Sequence, residues 1–185
     1  MTSLIEIKAA ARKAAFGRRK SAYETGHPAP AAHLSEVLAG YRGVPLSGYL
    51  PIRTEIDPRP AMEEAAAHGP VAVPVIMSAG LPLNFSRWEP GCALKEGPFG
   101  AMIPQVDDFF EPEILIVPLV AFDRSAGRLG YGGGFYDRTL ELLRSKRPTL
   151  AIGFAFGAQE ALDLPLEPTD QPLDMLVTEA EIITF

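Results

Sequence analysis

The chain has 185 residues, 47% of them hydrophobic and 22% charged, with a net charge of −6 and a single cysteine, Cys92. It is long enough to bury about 70% of its unfolded surface without staples, too acidic as a whole for a nucleic-acid binder, and unable to close an internal disulfide. No apolar run approaches the ~18–20 residues of a membrane span, because the longest, 114–122, is interrupted by Pro118.

The first expected element is a helix over 3–20, where Ser3 and Glu6 have capping-box spacing and Leu4, Ile7, Ala11, Ala14 and Ala15 form a modest apolar face. Lys8 and Arg12 lie four apart and share one side, with Arg19 two turns beyond Arg12. By themselves these read equally well as a solvated basic face. The basic, alanine-rich composition is shared with mitochondrial transit peptides, but the segment reads as a helix that the fold uses. It lacks the apolar core of a secretory signal, and with the lone cysteine this makes a cytoplasmic protein the expectation.

A short helix follows over 33–40, then a first strand over 44–51. Thr54-Glu55-Ile56-Asp57 comes at that strand's C-terminal end, where open α/β sheets place ligands. Glu55 reads either as a ligand group there or as an acid favoured by the dipole of the helix over 58–68. Strands are expected over 71–76 and over 81–88, the second alternating, with Leu83, Phe85 and Trp88 on one side. Residues 89–108, rich in glycine and proline, read as one long loop of the kind that is usually functional. The continuous run 114–117, largely β-branched, has the composition of a central strand covered on both faces. A further strand at 149–156, a loop holding Asp170 and a last strand over 175–178 complete the chain. This alternation predicts a single α/β domain over 1–185, three-layer α/β/α with a mostly parallel central sheet. His27, His33 and His68 lack metal-ligand spacing and are expected at the surface.

Between the central strand and a helix over 135–146 lies Arg128-Leu-Gly-Tyr-Gly-Gly-Gly-Phe-Tyr-Asp-Arg138. Strand, glycine turn and helix together aim backbone N–H groups and a helix N-terminus at an anion. Glycine lets the backbone adopt positive φ and approach a phosphate closely. Neither common nucleotide fingerprint is matched. A plain tight turn is the simpler alternative, but charge on both flanks, Arg128 and Asp137-Arg138, favours phosphate. Asp123, just upstream, either orients Arg128 or caps the turn.

Pro118-Leu-Val-Ala-Phe-Asp123 followed by Gly127-Arg-Leu-Gly-Tyr-Gly-Gly-Gly-Phe-Tyr-Asp-Arg138 resembles the signature of the 5-formyltetrahydrofolate cyclo-ligases. The resemblance extends more weakly from the first helix to Thr169-Asp170, Leu173-Asp174 and Val177-Thr178-Glu179. It implies ATP- and Mg²⁺-dependent conversion of 5-formyltetrahydrofolate to 5,10-methenyltetrahydrofolate through phosphorylation of the formyl oxygen, with release of ADP and phosphate. It places ATP on Lys8, Arg12, Arg128, Leu129, Gly130, Tyr131, Gly132, Gly133, Gly134, Phe135 and Tyr136. It places the folate on Leu50, Glu55, Tyr131, Gly132, Gly133, Gly134 and Phe135, and Mg²⁺ on Asp137 and Asp170. Arg128 is the expected catalytic clamp, taken as a loop arginine with few core contacts.

Without the resemblance, Asp137 reads as a helix N-terminal acid and Asp170 as a turn residue. This chain departs from the family at Ile103, where many relatives carry glutamate, and at Phe135, where tyrosine is common. Those departures leave room for another ATP-dependent ligase or phosphotransferase with a non-folate acceptor. A phosphate-sensing module without catalysis is a third reading, against which the pair of aspartates speaks. The implied partner is 5-formyltetrahydrofolate, polyglutamated forms included; neither nucleic acid nor membrane is implied, and a monomer is expected.

Overall fold

A seven-stranded sheet runs through the middle of the protein, described by a computed structural model that covers residues 1–185. In chain order the elements are α1 (Leu4–Thr25), α2 (Ala32–Ala39), β1 (Leu46–Ser47), α3 (Arg59–Ala66), β2 (Val71–Val75), β3 (Asn84–Arg87), β4 (Leu94–Glu96) and β5 (Met102–Pro104). They continue with β6 (Ile114–Pro118), β7 (Ala121–Phe122), β8 (Arg128–Leu129), α4 (Phe135–Lys146), β9 (Leu150–Phe154), β10 (Met175–Val177) and β11 (Ile182–Thr184). The sheet order is β11-β10-β9-β6-β1-β2-β3, parallel except at its antiparallel edges β3 and β11. No helix is long and apolar enough to cross a membrane.

The strand built from the continuous apolar run, β6, stands in the middle, and strict alternation divides its side chains between two cores. Ile114 and Ile116 pack with Leu34 and Leu38 of α2 and Ala61 and Met62 of α3. Leu115 and Val117 pack on the opposite face with Leu140 and Leu143 of α4. These are the three layers expected. From β1 the chain steps outward to β2, then returns to place β6 on the other side of β1. The connections leaving β1 and β6 therefore diverge, and the crevice between them at the strands' C-terminal ends is where doubly wound sheets bind ligands.

Several elements differ from the sequence expectation. Helix α1 carries the expected capping box (Glu6 N–H donates to Ser3 Oγ at 3.2 Å, Ser3 N–H to Glu6 Oε2 at 2.7 Å) but continues to Thr25. Its buried residues are Ala15, packed against β7 and β8, and Arg19, bonded to Thr54 and Tyr131, and Leu4 and Ile7 are exposed. Residues 89–108 hold the β4–β5 hairpin, whose three-residue strands are too short to show a period. Trp88 joins the α2/α3 core, opposite Leu83 and Phe85, because an odd offset along a strand changes face. The run 114–122 is two strands: after Pro118 the chain leaves the sheet to pair β7 with β8. Edge strand β11 was not anticipated. His33 is half-buried, 3.4 Å from Glu36, and His27 and His68 are exposed.

Candidate active site

Asp123 caps the β7–β8 turn: its Oδ1 accepts from the N–H groups of Ser125 (2.9 Å) and Gly127 (3.0 Å), and it makes no bond to Arg128. The hairpin returns the chain through Arg128 and Leu129, and Leu129 turns its side chain into a small core with Ala15, Val120 and Ala121. Residues 130–134 then form an open bend in which Gly132 (φ +100°) and Gly134 (φ +68°, the cap of α4) use backbone that L side chains rarely adopt. The carbonyls of this bend are engaged, Gly130 by Arg12 Nε (2.7 Å), Gly133 by Arg138 Nη2 (2.8 Å) and Gly134 by Arg138 N–H (3.1 Å). The N–H groups of Gly130 through Gly134 donate to no acceptor in the protein. Unused amides beside a helix N-terminus form an anion-binding concavity.

The bend borders a cavity of about 970 Å³ at the C-terminal ends of β1, β2 and β6, and every site residue named from the sequence lines it. That volume is at the upper end for small-molecule sites.

One group of polar side chains surrounds the bend. Arg128 corrects the expectation of a loop arginine with few core contacts. Pairing of β8 with β7 buries it, leaving 5% of the side chain exposed, and its Nη2 lies 2.6 Å from Asp137 Oδ1. Its Nε is buried without a partner. Asp137 Oδ1 also accepts from Gln171 N–H at 2.8 Å, which brings the adjacent Asp170 alongside. Asp170 Oδ2 accepts from Glu167 N–H (2.8 Å) and from Lys8 Nζ (3.3 Å), and Lys8 also pairs with Glu167. Burial works against the Lys8 charge, but Glu167 and Asp170 outweigh it and hold its pKa above the ordinary lysine value. No cluster of three or more His, Cys, Asp or Glu side chains is poised for a metal. Asp137 Oδ2 and Asp170 Oδ1 make no hydrogen bond, so each aspartate keeps an oxygen for a cation. One or two such carboxylates suffice for Mg²⁺, which keeps several waters and takes substrate phosphates as ligands.

A second group gathers around Glu55, which is buried just beyond β1. Its oxygens accept from Tyr131 Oη (2.5 Å) and Ile52 N–H (2.9 Å), and the cap of α3 is Pro58, so the helix-dipole alternative for Glu55 is replaced. Burial raises the Glu55 pKa, against the opposing pull of Tyr131, the Ile52 amide, Arg19 and Arg53. Arg19 Nη1 donates to Tyr131 Oη at 2.6 Å and its Nε to Thr54 Oγ1 at 3.0 Å. Burial, and then Glu55, push the Tyr131 hydroxyl well above the ordinary tyrosine range, so it stays a neutral donor. The Tyr136 hydroxyl is likewise pushed up and has no partner.

Aromatic and apolar groups complete the wall. The Phe135 ring meets Phe99 edge-on, with centroids 6.3 Å apart, and the Arg138 guanidinium lies 5.0 Å from its centroid. Phe99 is exposed and has φ +65°, at the tip of the β4–β5 hairpin. Ile103 is buried, so this hairpin offers Phe99, Ala101 and Met102 to the cavity and no carboxylate. Among the groups brought here, Arg53, Phe99 and Glu167 carried no signal in the sequence, while Arg19 carried one in its seven-residue spacing from Arg12.

A family model described as the 5-formyltetrahydrofolate cyclo-ligase family matches residues 7–179. The Escherichia coli K12 protein named 5-formyltetrahydrofolate cyclo-ligase is 35% identical over 142 residues, which cover 72% of this chain and 77% of that one. The protein of the same name from Haemophilus influenzae is 42% identical over 101 residues, and the match spans 51% of this chain and 54% of its own length. The solved structure of Aquifex aeolicus 5,10-methenyltetrahydrofolate synthetase is similar at a TM-score of 0.72 and 28% identity, over 96% of this chain and 92% of that one.

Proposed function

The chain belongs to the 5-formyltetrahydrofolate cyclo-ligase family, and from that premise we propose that it converts 5-formyltetrahydrofolate and ATP to 5,10-methenyltetrahydrofolate, ADP and phosphate. The observation that carries the ATP half is the run of undonated amides from Gly130 to Gly134, joined in one cavity by Lys8, Arg12, Arg128 and the two aspartates. Phosphoryl transfer demands little covalent chemistry of the protein; positioning and charge neutralisation suffice.

In this reading the amides of the bend and the α4 N-terminus hold phosphate oxygens, with Arg12 and Lys8 reaching from α1. Asp137 and Asp170, each with one oxygen left free, would hold Mg²⁺, whose charge would help to neutralise the phosphates. Arg128 meets the transferred phosphoryl group from the cavity wall. Leu50, Glu55, Phe135 and the hairpin residues Phe99 and Met102 receive the folate and keep water from the reacting atoms. The formyl oxygen attacks the γ-phosphorus and ADP leaves, forming an iminium phosphate. N10 then attacks the same carbon, a proton is lost and phosphate departs. No protein nucleophile takes part, so the protein's contribution is proximity and electrostatic support. Groups from α1 to Asp170 contribute, so 1–185 acts as one catalytic domain.

The test is direct: purified protein, 5-formyltetrahydrofolate, ATP and Mg²⁺, monitored for the methenyl chromophore. Formation of the chromophore only when all four are present is the expected result. ATP binding without folate turnover would turn the reading towards a different acceptor, in line with Ile103 and Phe135.

A further inference from the structure

We propose that Arg19 is a positioning residue of this site: from α1 it fixes Tyr131 and Glu55 as one hydrogen-bonded unit that joins the glycine bend to the carboxylate beyond β1. What that unit does in turnover rests on the folate reading above, while its existence does not.

Arg19 is 1% exposed, one of the largest fully buried side chains of the protein. It makes no direct ion pair; its hydrogen bonds go to two hydroxyls, Thr54 Oγ1 and Tyr131 Oη, with the Phe16 and Tyr131 rings 5.0 and 5.7 Å from its guanidinium carbon. A buried cation without compensation is costly. The compensating carboxylate is one step further on, because Tyr131 Oη accepts from Arg19 at 2.6 Å and donates to Glu55 at 2.5 Å. Charge thus faces charge across a shared hydroxyl, and each bond polarises the next.

The shared hydroxyl belongs to the residue between Gly130 and Gly132, in a stretch otherwise short of side chains. Tying Tyr131 to Arg19 and Glu55 therefore limits how far the phosphate-facing bend can wander from the end of β1. Arg19 lies seven residues after Arg12, on the same helix that sends Arg12 to the bend and Lys8 to Asp170. One rigid element thereby sets both halves of the cavity.

The groups facing Glu55 are Arg19 from α1, Tyr49 after β1, Arg53 on its own segment, and Tyr131 and Tyr136 from the bend and α4, with Asp57 acting on Tyr49. Arg19 and Arg53 are the cations among them, and Arg53 is exposed. Loss of Arg19 therefore shifts Glu55 towards its neutral form.

The experiment combines a ligand-free readout with kinetics on the full chain. Glutamate carboxyl carbons are labelled, Glu55 is assigned by its disappearance in Glu55→Gln, and its NMR titration is followed in wild type, Arg19→Met, Arg19→Lys and Tyr131→Phe. Glu55 should titrate at higher pH in Arg19→Met and Tyr131→Phe, and close to wild type in Arg19→Lys. The folate KM of Arg19→Met should rise about 10- to 100-fold, the size of a lost hydrogen bond to a charged group, with kcat changed far less. It should recover as pH is raised. An unmoved Glu55 titration in both Arg19→Met and Tyr131→Phe overturns the proposal, as does an equal, pH-independent loss in the Met and Lys variants. Should Arg19→Met fail to fold, Tyr131→Phe decides, since Tyr131 is 40% exposed and contributes little to the core. A wild-type protein that shows the Glu55 behaviour but no folate turnover refutes the functional reading alone.

Discussion

Replacing Arg128 with alanine removes a guanidinium that is 5% exposed and lies 2.6 Å from a carboxylate that is 20% exposed. Breaking a fully buried ion pair by deleting one partner costs about 3–5 kcal/mol, because the other charge is left buried and uncompensated. Asp137 retains the Gln171 amide at 2.8 Å and some contact with solvent, which argues for the lower end, about 3 kcal/mol. In a chain of this size each kcal/mol lowers the unfolding midpoint by about 2–4 °C, so a fall of roughly 6–12 °C is expected. A protein of ordinary stability, about 5–15 kcal/mol, survives that loss folded. Turnover should drop about 10²–10³-fold if the guanidinium also meets the transferred phosphoryl group.

Circular dichroism melts and methenyl formation below the new midpoint measure the two effects separately. The double variant Arg128→Ala/Asp137→Asn distinguishes their causes. It should regain most of the lost stability, since no unpaired carboxylate remains, and none of the lost turnover. An Arg128→Ala protein melting within about 2 °C of wild type would contradict the buried pair. Turnover within about threefold of wild type would remove Arg128 from the reacting atoms.

Gly132→Ala places a Cβ at φ +100° and 3.4 Å from the Arg12 guanidinium. Strain of about 1–2 kcal/mol and displacement of Arg12 should raise the ATP KM about tenfold and the folate KM much less; equal rises in steady-state kinetics would contradict the placement of phosphate. Glu55 has a raised folded-state pKa, so its contribution to stability is full below the unfolded carboxyl value near ~4.3 and is lost as pH rises through the folded value. The stability of wild type relative to Glu55→Gln should therefore decline with rising pH, by at most about 1.4 kcal/mol per pH unit; a flat or rising difference in urea unfolding would contradict the assignment. Chelation of divalent cations should stop turnover yet leave the melting midpoint of the ligand-free protein unchanged, because Asp137 and Asp170 already have Arg128 and Lys8 as partners. Unfolding on chelation would mean that the metal is structural.

How much of this was legible in the sequence depends on the range over which each feature is encoded. The middle position of β6 is written in Ile114–Val117, since an unbroken apolar run has to be covered on both faces. The Ser3–Glu6 capping box is a three-residue relation. The open bend follows from glycines close together in the chain, and the alternation of elements implies the three layers. Where local pattern was weak, the expectation failed: strands of three residues in β4, β5 and β11 are too short to display a period, and Trp88 changes face by simple parity.

The site was legible in its residue types and not in its pairings. Tyr131 and Glu55 are 76 positions apart, Arg19 and Tyr131 are 112 apart, and Lys8 and Asp170 are 162 apart. Helix and turn rules act over about four residues, so nothing local specifies these contacts. They arise when the sheet closes and carries α1, the end of β1 and the glycine bend to one crevice. Arg128 makes the same point: its charge suggested a free loop side chain, and only the pairing of β8 with β7 buries it against Asp137. The sequence by itself determined the strand order's centre, the bend and the charges available to a phosphate. Tertiary structure alone decided which of those charges are buried, because burial depends on what the rest of the chain lays over them.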